Sequence, residues 1–421
     1  MDGVTITLLF LIFAIVMFVW ERIPLSVTAM IVAVGLVVTS VLSPKDAFAG
    51  FVDTNVLLFM AMFIVGAAFF ETGVARDVGG IVTKFAGTER KLIISVMLIT
   101  GLMSGFLSNT GTAAVLIPVA IGLAQRAGFN RAKFLLPLVL ASAMGGNLSL
   151  IGALGNMIAQ SGLSKIGLSF GFFDYALIGL PVLIVGIIYF VLIGYKLLPD
   201  EPARQPEEIY EETDYSKVPK YKKWIAGIVL IATIVGMIFE QQIGIKLYVT
   251  AWIGALVLIV TGTISETAAV KSIDMKTILL FVGSLALADA LVKTGTGTVV
   301  ADAIITALGS HPSPFVLMAV VFIIAAVLTN FMSNTATTAL LVPIGISLAQ
   351  QVGADPKAVL MATVIGGSCA YATPIGMPAN TMVYNIAGYT FMDYVKVGAP
   401  LVVISTIVSL ILLPIFFPFY P

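Results

Sequence analysis

Long apolar runs, two of them broken in the middle by the same polar triplet, set the pattern of this chain. Runs long enough to cross roughly 30 Å of hydrocarbon lie at about 4 to 20, 24 to 43, 54 to 75, 133 to 160, 174 to 197, 224 to 242, 247 to 265, 275 to 293, 357 to 386 and 394 to 418, which predicts ten membrane spans. Two further apolar stretches, about 92–125 and 314–350, carry Ser108-Asn109-Thr110 and Ser333-Asn334-Thr335 at their centres. Backbone breaks at membrane depth are costly unless they are buried in protein or line a cavity. Each stretch therefore reads as a re-entrant hairpin of two half-helices that meet at the triplet.

The two hairpins are copies. At an offset of 225 residues (333 minus 108), the 29-residue stretches beginning at Thr100 and Ala325 share 13 identities. The likeness continues outside them, in Leu57 to Phe59 against Leu279 to Phe281 and Thr72-Gly73 against Thr294-Gly295. Near the ends of the halves, Asp174-Tyr175 with Gly179 and Pro181 matches Asp393-Tyr394 with Gly398 and Pro400. The expected organisation is a first repeat over 1–197, a charged cytoplasmic linker over 198–223 and a second repeat over 224–421. Five crossings per half is an odd number, so the second copy must enter the membrane upside down. With the N- and C-termini outside, 17 of the 22 Lys and Arg residues fall on the cytoplasmic side and 5 (Lys45, Lys165, Lys246, Lys293, Lys357) fall outside, the bias that cytoplasmic loops show. The fold class expected is thus an all-α polytopic membrane protein: an inverted repeat of two halves, each with five transmembrane helices and one re-entrant hairpin of broken helices.

Composition agrees with this and narrows the chemistry. The 421 residues are 59% hydrophobic and 10% charged, with a mean hydropathy of +1.08, where a soluble domain carries about 25% charge. A formal net charge of zero gives no sign of a nucleic-acid partner. Cys369 is the one cysteine and reads as core; His311, the one histidine, sits in the polar turn GSHPSP and reads as a surface residue. With no His, Cys or carboxylate cluster near the breaks, neither an enzyme nor an organic cofactor is expected. The first apolar run, Val4 to Trp20, lacks a small-residue cleavage motif and reads as a span. The sequon Asn147-Leu-Ser149 lies inside a span and is set aside.

The triplets point to an ion site. A helix that begins in mid-membrane leaves four N–H groups without intrahelical partners and carries partial positive charge at that end. Ser108, Asn109, Thr110, Ser333, Asn334 and Thr335 can cap such starts and offer hydroxyl and amide donors. Two starts facing each other can hold a dianion without arginine, and no lysine or arginine lies within either hairpin. The half-helix ends before the triplets expose carbonyls, and Ser104 and Thr329, each five residues before its Asn, add hydroxyls suited to a small cation such as sodium. A lone Ser-Asn-Thr before an apolar helix is ordinarily only a cap; its duplication at membrane depth favours a ligand site. Second breaks follow each hairpin, at GGNLSLIGALGN (Gly145 to Asn156) and GGSCAYATPIGMPAN (Gly366 to Asn380), where glycine, proline and asparagine unwind a span.

These paired triplets and Gly/Pro-rich breaks resemble the divalent-anion/sodium symporter family over nearly the whole chain. The resemblance implies that Asn109, Thr110, Asn334 and Thr335 contact a carboxylate substrate, with Pro378 beside them. It places sodium at Ser104, Ser108, Asn109 and the Gly152 backbone in the first half, and at Thr329, Asn334 and the Met332 and Gly376 backbones in the second. It further implies a homodimer that works as an elevator, a transport body carrying both hairpins past a fixed scaffold. Where relatives have Gly-Thr-Pro-Pro-Asn, this chain has Gly152-Ala-Leu-Gly-Asn156 and Gly376-Met-Pro-Ala-Asn380.

The expected function is sodium-coupled symport of a small divalent anion, a C4-dicarboxylate such as succinate, fumarate or malate. The alternatives are a sodium-independent exchanger or a carrier of citrate or sulfate, a cation/proton antiporter or arsenite-type efflux permease, and a channel or non-transporting receptor. The antiporter reading needs a titratable group, for which Asp289, inside a predicted span, is the candidate; its repeat partner is Ala67.

Overall fold

The computed structural model of the protein describes residues 2–20, 22–80, 88–200, 215–309 and 312–420. Lys84, Arg204, His311 and the acidic part of the linker lie outside these residues. Among the described residues every regular element is helical. The first half contains α1 (Gly3–Trp20), α2 (Leu25–Val38), α3 (Thr54–Glu71), α4 (Val74–Gly79), α5 (Glu89–Ser104), α6 (Asn109–Ala127), α7 (Ala132–Gly145), α8 (Leu154–Lys165) and α9 (Ala176–Tyr189). The second contains α10 (Lys220–Ile238), α11 (Leu247–Val260), α12 (Glu266–Ser272), α13 (Met275–Thr294), α14 (Thr296–Ala307), α15 (Pro314–Leu328), α16 (Asn334–Gln351), α17 (Pro356–Gly367), α18 (Pro378–Ile386) and α19 (Phe391–Phe416).

Six of these elements are long and apolar enough to cross a membrane: α1, α3, α9 as extended by a π turn to Leu197, α10, α13 and α19. Helices α2 and α11 have 14 residues each and rise only about 21 Å. The two remaining expected spans are each divided, into α7 with α8 and α17 with α18, at the glycine-rich breaks. Both triplet-bearing stretches are helix pairs that turn at the triplet, α5 with α6 and α15 with α16.

Local chemistry fixes these boundaries. Asp53 and Asp274 cap α3 and α13 by accepting from the second and third backbone N–H groups beyond them. Thr390 and Asp393 close a capping box at the start of α19. Pro118 and Pro343 lie at matching places inside α6 and α16, ten residues into each helix (118 and 343 counted from 109 and 334).

The halves pack crosswise. Helix α2 lies along α13, and its counterpart α11 lies along α3; likewise α8 packs on α16 while α18 packs on α6. Pairs within a half repeat too, α5 on α7 and α15 on α17, and α9 meets α19 across the boundary. One side chain ties the halves at main-chain level. The buried Tyr389 hydroxyl accepts from Leu136 N at 2.9 Å and donates to Ala132 O, standing where the helical bond between those two groups would run. Tyr389→Phe leaves both groups buried without a partner, a cost of about 1–3 kcal/mol. A lower melting temperature of the purified protein, followed by size-exclusion after heating, is the expected result.

Candidate ion and substrate site

Each triplet forms the start of a helix in the way its composition demands. Ser108 (φ −64°, ψ 142°) and Ser333 (φ −64°, ψ 147°) are extended, and their hydroxyls accept from Gly111 N at 3.1 Å and Ala336 N at 3.2 Å. The asparagines that follow turn back toward the preceding half-helix. Ser104 Oγ lies 2.7 Å from Asn109 Oδ1, and Thr329 Oγ1 lies 2.6 Å from Asn334 Oδ1.

Behind Asn109 is a nest of oxygens. Ser104 Oγ also donates to Ser142 O at 2.7 Å, and the same amide edge of Asn109 faces Ser142 O at 3.3 Å and Gly152 O at 3.2 Å. With the amide oxygen on that edge, four oxygens converge around a single hydroxyl hydrogen, an arrangement that a cation satisfies. With the nitrogen there, the two amide hydrogens are shared among the three neighbours, Ser104 Oγ nearest at 2.7 Å. The second half repeats the pattern: Thr329 Oγ1 donates to Gly367 O, and Gly376 packs so closely that an added Cβ would sit 2.3 Å from Thr329 O. Among the described residues no three His, Cys, Asp or Glu side chains come together, and the groups around Asn109 are neutral oxygens. That donor set suits a small hard cation such as sodium better than a soft metal.

The glycine-rich breaks are closed by an amide in each half. Asn156 Nδ2 donates to Gly146 O at 3.0 Å and Ser149 O at 2.7 Å, and Asn380 Nδ2 donates to Ala370 O at 2.7 Å and Thr373 O at 3.0 Å. Tyr175 and Tyr394 hydroxyls in turn donate to the carbonyls of those asparagines at 2.8 and 2.6 Å. Fixed in this way, the Gly152 and Gly376 segments stand against the hairpin tips.

All six triplet residues line one cavity of about 670 Å³, together with Gly152, Gly376 and Pro378. The sequence had them 225 residues apart; the fold brings them to one space. Ser104, Thr329 and Met332 are fully buried and do not line it. The first two stand behind the asparagines, and the Met332 side chain packs into an apolar cluster with Ala336, Leu340 and residues of α2 and α13. Near the triplets the lining is neutral. The cavity extends to the N-terminal ends of α2 and α13, where it reaches exposed Asp274 and Lys276. Ser368 Oγ, also lining it, donates across the halves to Asn147 Oδ1 at 3.1 Å.

Ser142 and Thr338 were missed in the sequence. Ser142 Oγ donates to Asn109 O at 2.7 Å and Thr338 Oγ1 to Asn334 O at 3.0 Å, so each asparagine is held by a hydroxyl. Their origins differ, one on α7 and one on α16, and Ala113 occupies the place of Thr338 in the first hairpin. No repeat signal could therefore reveal them.

A family described as citrate transporter matches residues 15–366. The chain belongs to the citrate transporter family. That family is related to the divalent-anion/sodium symporters, so the resemblance carried by the paired triplets holds. A transporter of Haemophilus influenzae described as uncharacterized is 28% identical, over 94% of this chain and 88% of its own length. The sodium-dependent dicarboxylate transporter SdcS of Staphylococcus saprophyticus is 24% identical, over 90% and 79%. Among solved structures, the Alcanivorax borkumensis YdaH transporter superposes with a TM-score of 0.66 at 16% identity, over 89% of this chain and 88% of that one; it supports the fold. The protein is a multi-pass membrane transporter and not an enzyme.

Gly152→Ala would put a Cβ 2.5 Å from Gly146 O, and Gly376→Ala one 2.3 Å from Thr329 O, both contacts with backbone that cannot yield cheaply. Each is expected to lower transport by about tenfold or more through displaced hairpin tips. Gly122→Ala on α6, with open space around it, leaves transport unchanged; vesicle uptake by the three variants makes the comparison.

Proposed function

We propose that this transporter carries a small divalent anion, a C4-dicarboxylate such as succinate, fumarate or malate, into the cell together with sodium. The observation behind this reading is that both hairpin tips, with their caps and asparagines, line a single cavity whose wall near the tips holds no charged side chain. Two helix starts supply backbone N–H groups and positive dipole ends for two carboxylates. The oxygen nests behind Asn109 and Asn334 supply sites for cations, and a cation next to a bound anion lowers the cost of moving that anion through a low-dielectric path. Sodium is the coupling ion in this reading, and the name of the staphylococcal relative, a sodium-dependent dicarboxylate transporter, supports it.

The mechanism proposed is an elevator. A body holding both hairpins moves against the other helices of each half, within a homodimer, with inverted repeats over 1–197 and 224–421, both termini outside and the linker 198–223 cytoplasmic. The crosswise packing of α2 on α13 and α11 on α3 supports the two-fold relation of the halves. On this orientation the starts of α2 and α13 lie on the cytoplasmic side, so the cavity faces inward. Asp289, the residue an antiporter reading would need, does not line this cavity; it pairs with Lys165 elsewhere.

In proteoliposomes, uptake of labelled succinate is expected to require an inward sodium gradient and to fall by more than about tenfold in Asn109→Ala and Asn334→Ala, which remove charge-assisted contacts. Equal uptake in choline medium removes sodium from the mechanism. Ser142→Ala releases the Asn109 carbonyl. We expect it to raise the sodium concentration for half-maximal uptake by about three- to tenfold, with little change in the succinate KM at saturating sodium.

A further inference from the structure

Helix α8 is part of the cavity wall at its start, through Leu154 and Gly155, and is fastened at its far end to two helices outside the hairpins. Ser161 Oγ donates to Asp53 Oδ1 at 3.0 Å and accepts from Asn55 Nδ2 at 2.9 Å, at the start of α3. One turn later, Lys165 Nζ meets Asp289 Oδ1 at 2.5 Å and Leu285 O at 3.5 Å on α13. The ion pair borders a small, mostly apolar cavity of about 40 Å³ with Ile158, Leu285 and Val342 among its walls. Its side chains are 35% and 31% exposed. At this exposure solvent screens the pair, and its contribution is on the order of 1 kcal/mol or less.

The internal repeat makes it possible to ask what would replace these two fastenings if the cavity faced the other side. In an inverted repeat the halves exchange roles, so that α18 takes the part of α8 and α3 exchanges places with α13. The first fastening has a counterpart of suitable chemistry. Asp274 caps α13 as Asp53 caps α3, and the residue equivalent to Ser161 on α18 is Asn385, at the offset of 224 that relates Asn156 to Asn380. Both Asp274 and Asn385 are exposed, with Asp274 on the cavity wall. The second fastening has no counterpart. Asp289 corresponds to Ala67, and Lys165 to Tyr389, whose hydroxyl is already engaged with α7.

We propose that the Lys165–Asp289 ion pair is a lock specific to the state seen in this structure. It holds the hairpin-bearing body against α13 and is released when the cavity turns to the opposite side, where no charge pair takes its place. The pair thereby biases the resting transporter toward the present orientation. This rests on the two-state transport reading above.

The test uses the full chain in detergent with Ala67→Cys as a reporter. Ala67 lines the cavity, whereas the native Cys369 is fully buried. In this background a small maleimide is expected to label Ala67→Cys readily. Asp289→Asn and Lys165→Gln should each slow labelling by about threefold, the scale of a partly exposed ion pair. The charge swap Lys165→Asp with Asp289→Lys should restore the original rate. Labelling of both single variants at the rate of the Ala67→Cys parent overturns the lock. So does a swap that stays slow while eluting as folded protein, because packing and not charge would then set the rate. Should one single variant misfold, the other, compared with the parent and the swap, decides by the same criterion. Labelling needs no substrate, so a wild-type protein that accumulates no anion in vesicles refutes the transport reading and leaves the lock to be judged by labelling.

Discussion

The whole arrangement depends on satisfying main-chain polar groups where a helix is interrupted inside an apolar layer. There is little water at that depth to take up an orphan N–H or C=O, so every break must bring its own partners. Among the described residues, the two hairpin turns and the two glycine-rich breaks are partnered by short neutral side chains. Ser108 and Ser333 cap the hairpin starts, and Ser104 and Thr329 reach across the hairpin turns. Asn156 and Asn380 each bridge two carbonyls of the glycine-rich breaks. The hairpin starts so capped line one cavity.

That use of neutral groups explains an apparent shortage. The hairpin tips hold no arginine or lysine; on the proposed reading the helix starts would provide oriented N–H donors and a favourable potential in their place. Fixed dipoles have a further merit in a carrier. A buried lysine or arginine would be costly to leave unpaired once the anion departed, whereas caps and amides can return to hydrogen bonds among themselves. The Asn109 amide illustrates this: one edge of it meets Ser104, Ser142 and Gly152 and is suited to a cation in one orientation and to self-satisfaction in the other. Coupling between ion and anion, as proposed here, would run through that single side chain, since its backbone belongs to the helix start and its amide to the oxygen nest.

The two halves are alike in backbone and unlike in detail, and the differences are informative. The asparagine carbonyl is held from α7 in the first half and from α16 in the second. Tyr389 bridges to the other half, and the Lys165–Asp289 pair occurs on one side only. A perfectly symmetric pair of repeats would give two facing states of equal stability. Departures of this kind are where such a molecule can set the balance between them.

The amino-acid sequence by itself determined the membrane class, the duplication, the hairpins and the identity of the triplet residues, because apolar run length and a polar triplet at membrane depth are local signals. It also carried the helix caps, which need only three or four consecutive residues. It did not determine that α2 and α11 would be short, that Met332 would turn its side chain into a separate apolar cluster, or that Ser142 and Thr338 would steady the asparagines. It marked Asp289 as a lone acid within a span and offered no partner. Only tertiary packing decided that Lys165, 124 residues away in sequence, would meet it. Contacts of this kind depend on which helix faces lie together, and apolar helices that look alike along the chain carry little record of their neighbours until they are packed.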